Sequence, residues 1–195
     1  MAKRIGIFGG SFNPIHVGHA IIASAILRQG LIDQLWFMVT PENPFKQGQN
    51  LAPERHRLCM AELVARRIPN AVTSAFEMQL PRPSYTIDTL NALQKRFPKD
   101  EFYLIIGADN WAKWDNWKSP SEIVSKFHVL IYPRLGYEVN IPLELQEKVQ
   151  LVEAPIIEIS STEIRQLIAQ DQSPAFYVAD DVYNYINEHN LYRDL

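Results

Sequence analysis

The chain of 195 residues contains a single cysteine, Cys59. One cysteine excludes a disulfide within the chain and is typical of a protein in a reducing compartment. Leu58 and Met60 flank it in a segment that reads as a helix, so we interpret Cys59 as a small core residue. We therefore expect a cytoplasmic protein.

Long apolar runs and clusters of basic residues are also absent from the sequence. No apolar run approaches the roughly 18 residues needed to span a bilayer, and no signal-peptide pattern occurs. The net charge is −3 and Lys and Arg do not cluster, so the sequence does not predict a basic face for nucleic acid. We expect neither a membrane nor a nucleic-acid partner, and the sequence leaves a homo-oligomer open.

Internal repeats, low-complexity segments and Gly/Ser linkers are missing as well, while 47% of the residues are hydrophobic. This composition favours a folded chain with a substantial core over a disordered one. We predict one domain over residues 1–195, in which residues 158–195 form a small helical C-terminal part.

The most informative stretch is residues 5–19, IGIFGGSFNPIHVGH. It opens with an apolar strand, which we expect Gly9 and Gly10 to break, and an apolar helix then follows over residues 17–27. A strand, a glycine turn and a helix start direct backbone N–H groups and a positive helix dipole at an anion. Glycines also allow a phosphate to approach the backbone closely, so we predict a phosphate site here.

His16 and His19 lie at the predicted anion site, where imidazoles can donate hydrogen bonds to phosphate oxygens. Their spacing of three residues also fits half of a metal site, although no Cys or acidic residue lies nearby to complete it. A helix cap or a surface position is the ordinary alternative for a lone histidine. The sequence contains neither a Walker G-x-x-x-x-G-K-[ST] loop nor a G-x-G-x-x-G dinucleotide loop, so this is a different kind of phosphate loop.

Further along, apolar runs alternate with segments of helical pattern. We predict strands over residues 34–40, 71–76, 102–108, 127–132 and 149–152, and helices over residues 53–67, 87–97 and 178–189. Alternating strands and helices favour an α/β fold with a doubly wound parallel sheet. In such a fold the ligand binds at the carboxyl ends of the strands.

Two loops at that edge carry charged candidates. Lys46 follows the second strand and is a candidate phosphate contact, or an ordinary solvated lysine. Asp109 comes directly after the most hydrophobic strand, where a carboxylate can accept both hydroxyls of a ribose, or cap the next helix. The position at the binding edge favours the functional interpretation of both residues.

Aromatic and polar residues mark a second region. Thr86 can cap the helix that follows it, and the backbone N–H groups of that helix start can bind a carboxylate. Trp111, Trp114 and Trp117 recur at every third residue, a stripe that usually belongs to a core but can stack on an aromatic ligand.

The last motif is ISSTEIR, over residues 159–165. Ser160 or Ser161 caps a helix, with an acid nearby as in a capping box. The same serines present hydroxyls and N–H groups to a phosphate, and we place Arg165 on the first turn, where its guanidinium can fork onto phosphate oxygens.

These motifs carry a resemblance to a known family. The pattern G-G-[ST]-F-[ND]-P-x-H-x-G-H is complete in residues 9–19 and resembles the HxGH nucleotidyltransferases, which share their fold with class I aminoacyl-tRNA synthetases. ISSTEIR is similar to their second signature. Three central segments, residues 83–90, 105–117 and 132–137, resemble the bacterial nicotinate-mononucleotide adenylyltransferases. The likeness covers residues 5–192 and implies a Rossmann-like nucleotidyltransferase (HUP-type) fold.

The resemblance implies that ATP and nicotinate mononucleotide give nicotinate adenine dinucleotide and pyrophosphate, in NAD biosynthesis. It also implies Mg²⁺ that arrives with ATP, without dedicated protein ligands. The implied catalytic residues are His16, His19, Lys46 and Arg165. The implied ATP contacts are Gly9, Gly10, Ser11, Phe12, Gly18, Gly107, Asp109, Ile159, Ser160, Ser161 and Thr162, and the implied acceptor contacts are Asn43, Tyr85, Thr86, Trp117 and Arg134.

The sequence departs from the family in the loop over residues 41–46, PENPFK, where PPHK is common and Phe45 takes the place of the histidine. Alternatives remain in the acceptor, which is nicotinamide mononucleotide or phosphopantetheine in related enzymes. A non-enzymatic nucleotide sensor on the same fold is the alternative of a different class. A class I tRNA synthetase fragment fits less well, because no KMSKS-like motif and no basic surface are present.

Overall fold

The computed structural model describes residues 2–41 and 51–193. The strands are β1 (Arg4–Gly10), β2 (Gln34–Val39), β3 (Ala71–Ser74), β4 (Glu101–Gly107), β5 (His128–Tyr132) and β6 (Val149–Leu151). The helices are α1 (Val17–Arg28), α2 (Glu54–Ala65), α3 (Thr86–Arg96), α4 (Ala108–Trp111), α5 (Pro120–Lys126), α6 (Ser161–Ala169) and α7 (Asp180–Glu188). Short 3₁₀ turns cover Phe76–Gln79, Trp114–Asn116 and Leu143–Leu145.

The strands form one sheet in the order β3-β2-β1-β4-β5-β6, and every neighbouring pair is parallel. The chain moves outward from β1 to β3, returns to β4 beside β1, and moves outward again on the other side. This order confirms the predicted doubly wound α/β sheet, and it places the point where the winding reverses between β1 and β4.

Both faces of the sheet are covered, which is why β1 and β4 read as almost continuous apolar runs. One face packs against α1, α2, α6 and α7, through residues such as Ile26, Val64, Ile164 and Val182. The other face packs against α3, α4 and α5, through Leu90, Trp111 and Ile123.

Glycines lie at the ends of β1 and α1. Gly9 and Gly10 do not break β1; they are its last residues and align with Met38 and Val39 of β2. The prediction of a break was therefore wrong, because pairing with β2 carries the strand through both glycines. Gly30 follows α1 with φ of +67°, the left-handed backbone that favours glycine after a helix.

The other strands and helices for which a range was predicted match it to within a few residues at their ends, whereas α5 was not predicted. Phe76, predicted to end β3, instead starts a 3₁₀ turn. Cys59, predicted in the core, is only half-buried on α2. In the part of the chain that the structure describes, no helix has the length and apolar character needed to cross a membrane.

Candidate active site

The two phosphate motifs of the sequence meet above the carboxyl ends of β1 and β4. Ser161, on the first turn of α6, donates from Oγ to the carbonyl oxygen of Pro14 at 2.8 Å. Arg165 donates from Nη1 to the carbonyl oxygen of Asn13 at 2.8 Å. These two hydrogen bonds lock the start of α6 onto the loop between β1 and α1, so both predicted phosphate sites belong to one site.

Ser160 is the residue that caps α6, since its Oγ accepts a hydrogen bond from the backbone N–H of Glu163 at 3.1 Å. Thr162 then lies exposed on the first turn, and Ile159 packs partly against the core below. Arg165 is the fifth residue of the helix, so the prediction that places it on the first turn was wrong by one position. Its guanidinium still reaches the site because it folds back onto Asn13 and onto Thr162 Oγ1, at 3.4 Å.

The loop after β1 is shaped by an aromatic contact with a histidine. Phe12 is buried, has φ of +45° and packs edge-on against His19 with ring centroids 5.1 Å apart. A Cβ on Gly10 would lie 3.0 Å from the Phe12 ring, so any larger residue there would press on this ring. Gly10 and Phe12 therefore set the position of His19 from below.

His19 also contacts the backbone of the helix start. The backbone N–H of His16 donates to His19 Nδ1 at 3.2 Å. Because Nδ1 accepts this hydrogen bond, a neutral His19 carries its proton on Nε2. The two imidazoles lie against each other, with ring centroids 3.7 Å apart and planes inclined by 31°.

His16 is buried at the N-cap of α1, and its Nδ1 makes no hydrogen bond. A Cβ on Gly18 would lie 3.0 Å from that nitrogen, so the glycine leaves space for the ring. Burial, together with the positive charge of Arg134, lowers the pKa of His16 to about 3. His16 is therefore neutral at physiological pH before a ligand enters.

Asp109 and Arg134 face each other after β4 and β5. Arg134 Nε lies 3.7 Å from Asp109 Oδ1, and both atoms are buried without a hydrogen-bond partner. Arg134 packs over the ring of Tyr132, and its Nη1 donates to the carbonyl oxygen of Ile157 at 3.5 Å. Together with His16 Nδ1, these buried atoms without a hydrogen bond indicate a site for a polar ligand.

Gly107 ends β4 directly before this pair. A Cβ there would collide with Asp109 Oδ1 and would reach the Tyr132 ring at 3.0 Å. Asp109 does not cap α4: Gly107 occupies the N-cap position and Asp109 lies within the first turn. The alternative role of Asp109 as a helix cap was therefore wrong, and its carboxylate faces Arg134 at the ligand edge.

Tyr85, Thr86 and Trp117 come from the opposite face of the sheet, which carries α3 to α5. Thr86 is the first residue of α3 and not its cap, so that prediction was wrong. Tyr85 holds the N-cap position, and its side chain makes no capping hydrogen bond. The helix start thus lacks a side-chain cap, which suits the binding of a carboxylate.

The three tryptophans form a ladder with ring centroids 5.1 Å and 5.2 Å apart. Trp111 and Trp114 are buried and belong to the core, as their spacing suggested. Trp117 ends the ladder, half-buried, and the next residue, Lys118, places its Nζ 4.4 Å from the ring centre of Tyr85. Tyr85 and Trp117 thus lie on neighbouring segments at one side of the sheet edge.

Three residues that the sequence analysis did not single out support the phosphate loop. Asn13 is buried, and its Oδ1 accepts hydrogen bonds from Tyr192 Oη and from the Ala52 N–H, each at 3.0 Å. Arg57, buried on α2, donates to the carbonyl oxygen of Ser11 at 2.7 Å. Only the completed HxGH motif pointed to Asn13; no sequence signal marked Arg57 or Tyr192, which are distant in sequence.

Two predicted site residues, Asn43 and Lys46, lie outside the described residues. A third, Gly9, is an exposed residue of β1 beside Gly10. Over residues 2–41 and 51–193, no group of three or more His, Cys, Asp or Glu is placed to hold a metal ion. The predicted site residues in this part of the chain thus form two groups. One lies around the histidines and α6, where phosphate contacts were predicted, and the other is an aromatic side around Tyr85 and Trp117.

Comparison with known proteins gives the family. The family model described as Cytidylyltransferase-like matches residues 7–167. A "Probable nicotinate-nucleotide adenylyltransferase" of Bacteroides thetaiotaomicron is 44% identical over 186 residues, which covers 95% of this chain and 92% of the relative. A protein of the same name from Cytophaga hutchinsonii is 40% identical over 191 residues, covering 98% and 99% of the two chains.

Solved structures show the same fold. Nicotinic acid mononucleotide adenylyltransferase of Plasmodium falciparum, complexed with NaAD, superposes with a TM-score of 0.80 over 97% of both chains at 22% identity. A second structure of that enzyme, complexed with APC, gives a TM-score of 0.79 at 21% identity. The chain belongs to the cytidylyltransferase-like family and, within it, to the nicotinate-nucleotide adenylyltransferases, which are nucleotidyltransferase enzymes.

Proposed function

We propose that this chain transfers the AMP group of ATP to nicotinate mononucleotide, giving nicotinate adenine dinucleotide and pyrophosphate in NAD biosynthesis. The observation that carries the proposal is the pair of hydrogen bonds, Ser161 to Pro14 and Arg165 to Asn13, that joins both phosphate motifs into one site. A chain of phosphates needs donors on two sides, and this junction supplies them. The names of the relatives support the choice of substrates.

The reaction is an in-line displacement at phosphorus. An oxygen of the mononucleotide phosphate attacks the α-phosphorus of ATP and forms the new P–O bond. The bond between the α-phosphorus and the bridging oxygen breaks, and pyrophosphate leaves with that electron pair. The attacking phosphate is already ionised near pH 7, so no general base is needed, and catalysis consists of positioning and charge stabilisation.

The two histidines hold the α- and β-phosphates. His19, whose Nδ1 is engaged by the His16 N–H, presents an Nε2 donor to a phosphate oxygen. His16 is neutral before substrate enters, because burial lowers its pKa to about 3, and a bound triphosphate favours its protonation. Both side chains then stabilise the negative charge that builds up in the transition state.

The start of α6 receives the leaving pyrophosphate. Ser160, Ser161, Thr162 and Arg165 present hydroxyls, backbone N–H groups and a guanidinium to the β- and γ-phosphates. Lys46 is proposed as a further phosphate contact from its loop. The adenosine ribose lies by Gly107 and Asp109, where the Asp109 carboxylate accepts from the ribose hydroxyls.

Mg²⁺ arrives with ATP. Asp109 is the acidic residue that we place beside the nucleotide, and the described residues contain no group of three or more His, Cys, Asp or Glu placed to hold a metal ion. This donor set fits a metal that is held mainly by phosphate oxygens and water. When bound, the metal neutralises charge on the phosphates, while the histidines and α6 orient them.

The acceptor enters on the aromatic side. Trp117 stacks on the pyridine ring, and the start of α3, which has no side-chain cap, binds the nicotinate carboxylate through the Thr86 N–H. Tyr85 closes the other side of this pocket. Arg134, one of the implied acceptor contacts, lies beside Asp109. We propose that it contacts the acceptor phosphate, which joins the two nucleotides in the product.

The location and domain organisation belong to the same proposal. We place the enzyme in the cytoplasm, which the single Cys59 supports. The whole chain acts as one nucleotidyltransferase domain with a small helical C-terminal part over residues 158–195. The packing of α6 and α7 on the core that also holds α1 and α2 supports this organisation.

The test is pyrophosphate release from ATP with nicotinate mononucleotide, nicotinamide mononucleotide and phosphopantetheine side by side. We expect the first to be strongly preferred. A preference for another acceptor would keep the chemistry and overturn the proposed pocket. Absence of turnover with all three, while ATP still binds, would favour a nucleotide sensor on the same fold.

A further inference from the structure

Arg57 is a buried cation that the proposed reaction does not use. It lies on the first turn of α2, and only 1% of its surface is exposed. Its guanidinium donates to four carbonyl oxygens: Ala52 at 2.9 Å, Ser11 at 2.7 Å, Thr40 at 2.6 Å and Pro41 at 2.9 Å. One side chain therefore joins the ends of β1 and β2 to the segment that precedes α2.

This arrangement is costly for the fold alone. Burying a cation requires the loss of its hydration, and carbonyl dipoles replace water only in part. Among the described residues Arg57 forms no ion pair, and burial lowers its pKa, although a guanidinium stays protonated. A cation buried at such a cost is a candidate for a role beyond filling space in the core.

The carbonyl groups that Arg57 holds are next to the phosphate loop. Ser11 precedes Phe12, the residue that packs edge-on against His19. Ala52 is held from both ends, since its carbonyl accepts from Arg57 and its N–H donates to Asn13 Oδ1. Asn13 in turn accepts from Arg165 of α6. A continuous set of hydrogen bonds thus runs from Arg57 through the loop to the start of α6.

We propose that Arg57 is a positioning residue for phosphate transfer: it fixes the Ser11 to Asn13 loop so that Phe12 holds His19 at the reacting phosphates. This inference rests on the proposed function, since it assigns Arg57 to the same site. The planar guanidinium reaches four acceptors at once, whereas a lysine ammonium has three donors on a flexible stem. A displacement of about 1 Å in such a site lowers the rate by up to about 100-fold.

The test compares Arg57→Lys, which keeps the charge, and Arg57→Gln, which keeps a planar donor without charge, with Arg66→Lys as the matched control. Arg66 is the C-cap residue of the same helix, with an exposed side chain paired to Glu62. The measurements are kcat and the KM for ATP, ATP affinity by calorimetry, thermal unfolding, and the ¹⁵N resonances of the histidine side chains. Assays are run well below the unfolding temperature of each variant.

We expect Arg57→Lys to lower kcat by at least about tenfold with less than a threefold change in the ATP KM, and to shift the His19 resonances while those of His128 stay unchanged. Arg66→Lys should match the wild type. A folded Arg57→Lys variant with kcat within threefold of wild type would overturn the proposal, as would a loss of kcat without any change at His19. If Arg57→Lys does not fold, the same expected changes and thresholds apply to Arg57→Gln.

Unfolding of both Arg57 variants, under conditions in which Arg66→Lys is folded, would also overturn the proposal. It would show that Arg57 serves only the stability of the core. Failure of the proposed reaction is distinguishable from failure of this inference. If the wild type shows no turnover with nicotinate mononucleotide, the reaction is wrong, while the His19 resonances and the ATP affinity still decide the role of Arg57.

Discussion

Ser161 Oγ donates a hydrogen bond of 2.8 Å to the carbonyl oxygen of Pro14, although 147 positions separate the two residues in the sequence. The bond fixes the start of α6 against the turn that precedes α1. Because both helix starts carry a positive dipole end, this contact directs two anion-binding groups at one place. In the proposed reaction, the two groups bind the phosphates together.

Removal of the Ser161 hydroxyl should therefore weaken the phosphate site. Ser161→Ala leaves the Pro14 carbonyl without its donor, and the loss of one such bond costs about 1 kcal/mol. We expect kcat/KM for ATP to fall about fivefold to tenfold, measured by pyrophosphate release. Ser125→Ala, which removes an exposed serine bonded within α5, is the control and should leave the rate unchanged. An equal effect in both variants would contradict the prediction.

Removal of the His19 imidazole should affect the chemical step most. His19→Ala removes a preorganised donor, so we expect kcat to fall about 10²- to 10³-fold. The control is His189→Ala, since His189 is exposed and stacks on Tyr185 of α7. A loss under threefold in a folded His19→Ala variant would remove His19 from the mechanism.

Replacement of Trp117 should raise the KM for one substrate much more than the KM for the other. Trp117→Ala removes the half-buried end of the tryptophan ladder, the ring proposed to stack on the pyridine. We expect the KM for nicotinate mononucleotide to rise about tenfold or more, with a much smaller change in the KM for ATP, because stacking is worth about 1–3 kcal/mol per ring. Steady-state kinetics with each substrate varied in turn measure the split.

Trp36→Ala is the matched control for this comparison. Trp36 lies on β2, packs edge-on against Phe97 and has no proposed contact with either substrate. Trp36→Ala should lower the stability of the protein without changing the ratio of the two KM values. Equal changes in both KM values for Trp117→Ala would mean that Trp117 is a core residue only.

The stability of the protein should depend on pH through His16. Its pKa is lowered to about 3 in the folded state by burial and by Arg134, whereas an unfolded histidine titrates near 6.5. As the pH falls below about 6.5, the unfolded chain binds a proton that the folded chain does not. The free energy of unfolding therefore decreases between about pH 6.5 and pH 3.

Chemical denaturation of wild type and His16→Gln at pH 7 and pH 5 measures this contribution. We expect the wild type to lose about 2 kcal/mol more than the variant over this interval. Comparison with the variant cancels the effects of His56 and His128, whose pKa values burial also lowers. An identical loss in both proteins would show that His16 does not remain neutral in the folded state.

Much of the fold was readable from local patterns. Apolar runs buried on both faces predicted β1 and β4, and the alternation of strands and helices predicted the doubly wound sheet. Errors arose where a neighbour decided the outcome. Pairing with β2 extends β1 through Gly9 and Gly10, and the capping position before α3 belongs to Tyr85 and not to Thr86.

The candidate site was predictable only in its parts. The sequence by itself determined which groups are present: a glycine-rich turn with two histidines, a serine cap with an arginine, and an acidic residue after a strand, since each is a short run with its own chemistry. The tertiary structure decided which of them meet. Arg165 on Asn13, Tyr192 on Asn13 and Arg57 on Ser11 are contacts over long stretches of chain. Such contacts exist only once the sheet has brought its carboxyl edge together, because no local pattern records which distant side chain a backbone carbonyl will accept from.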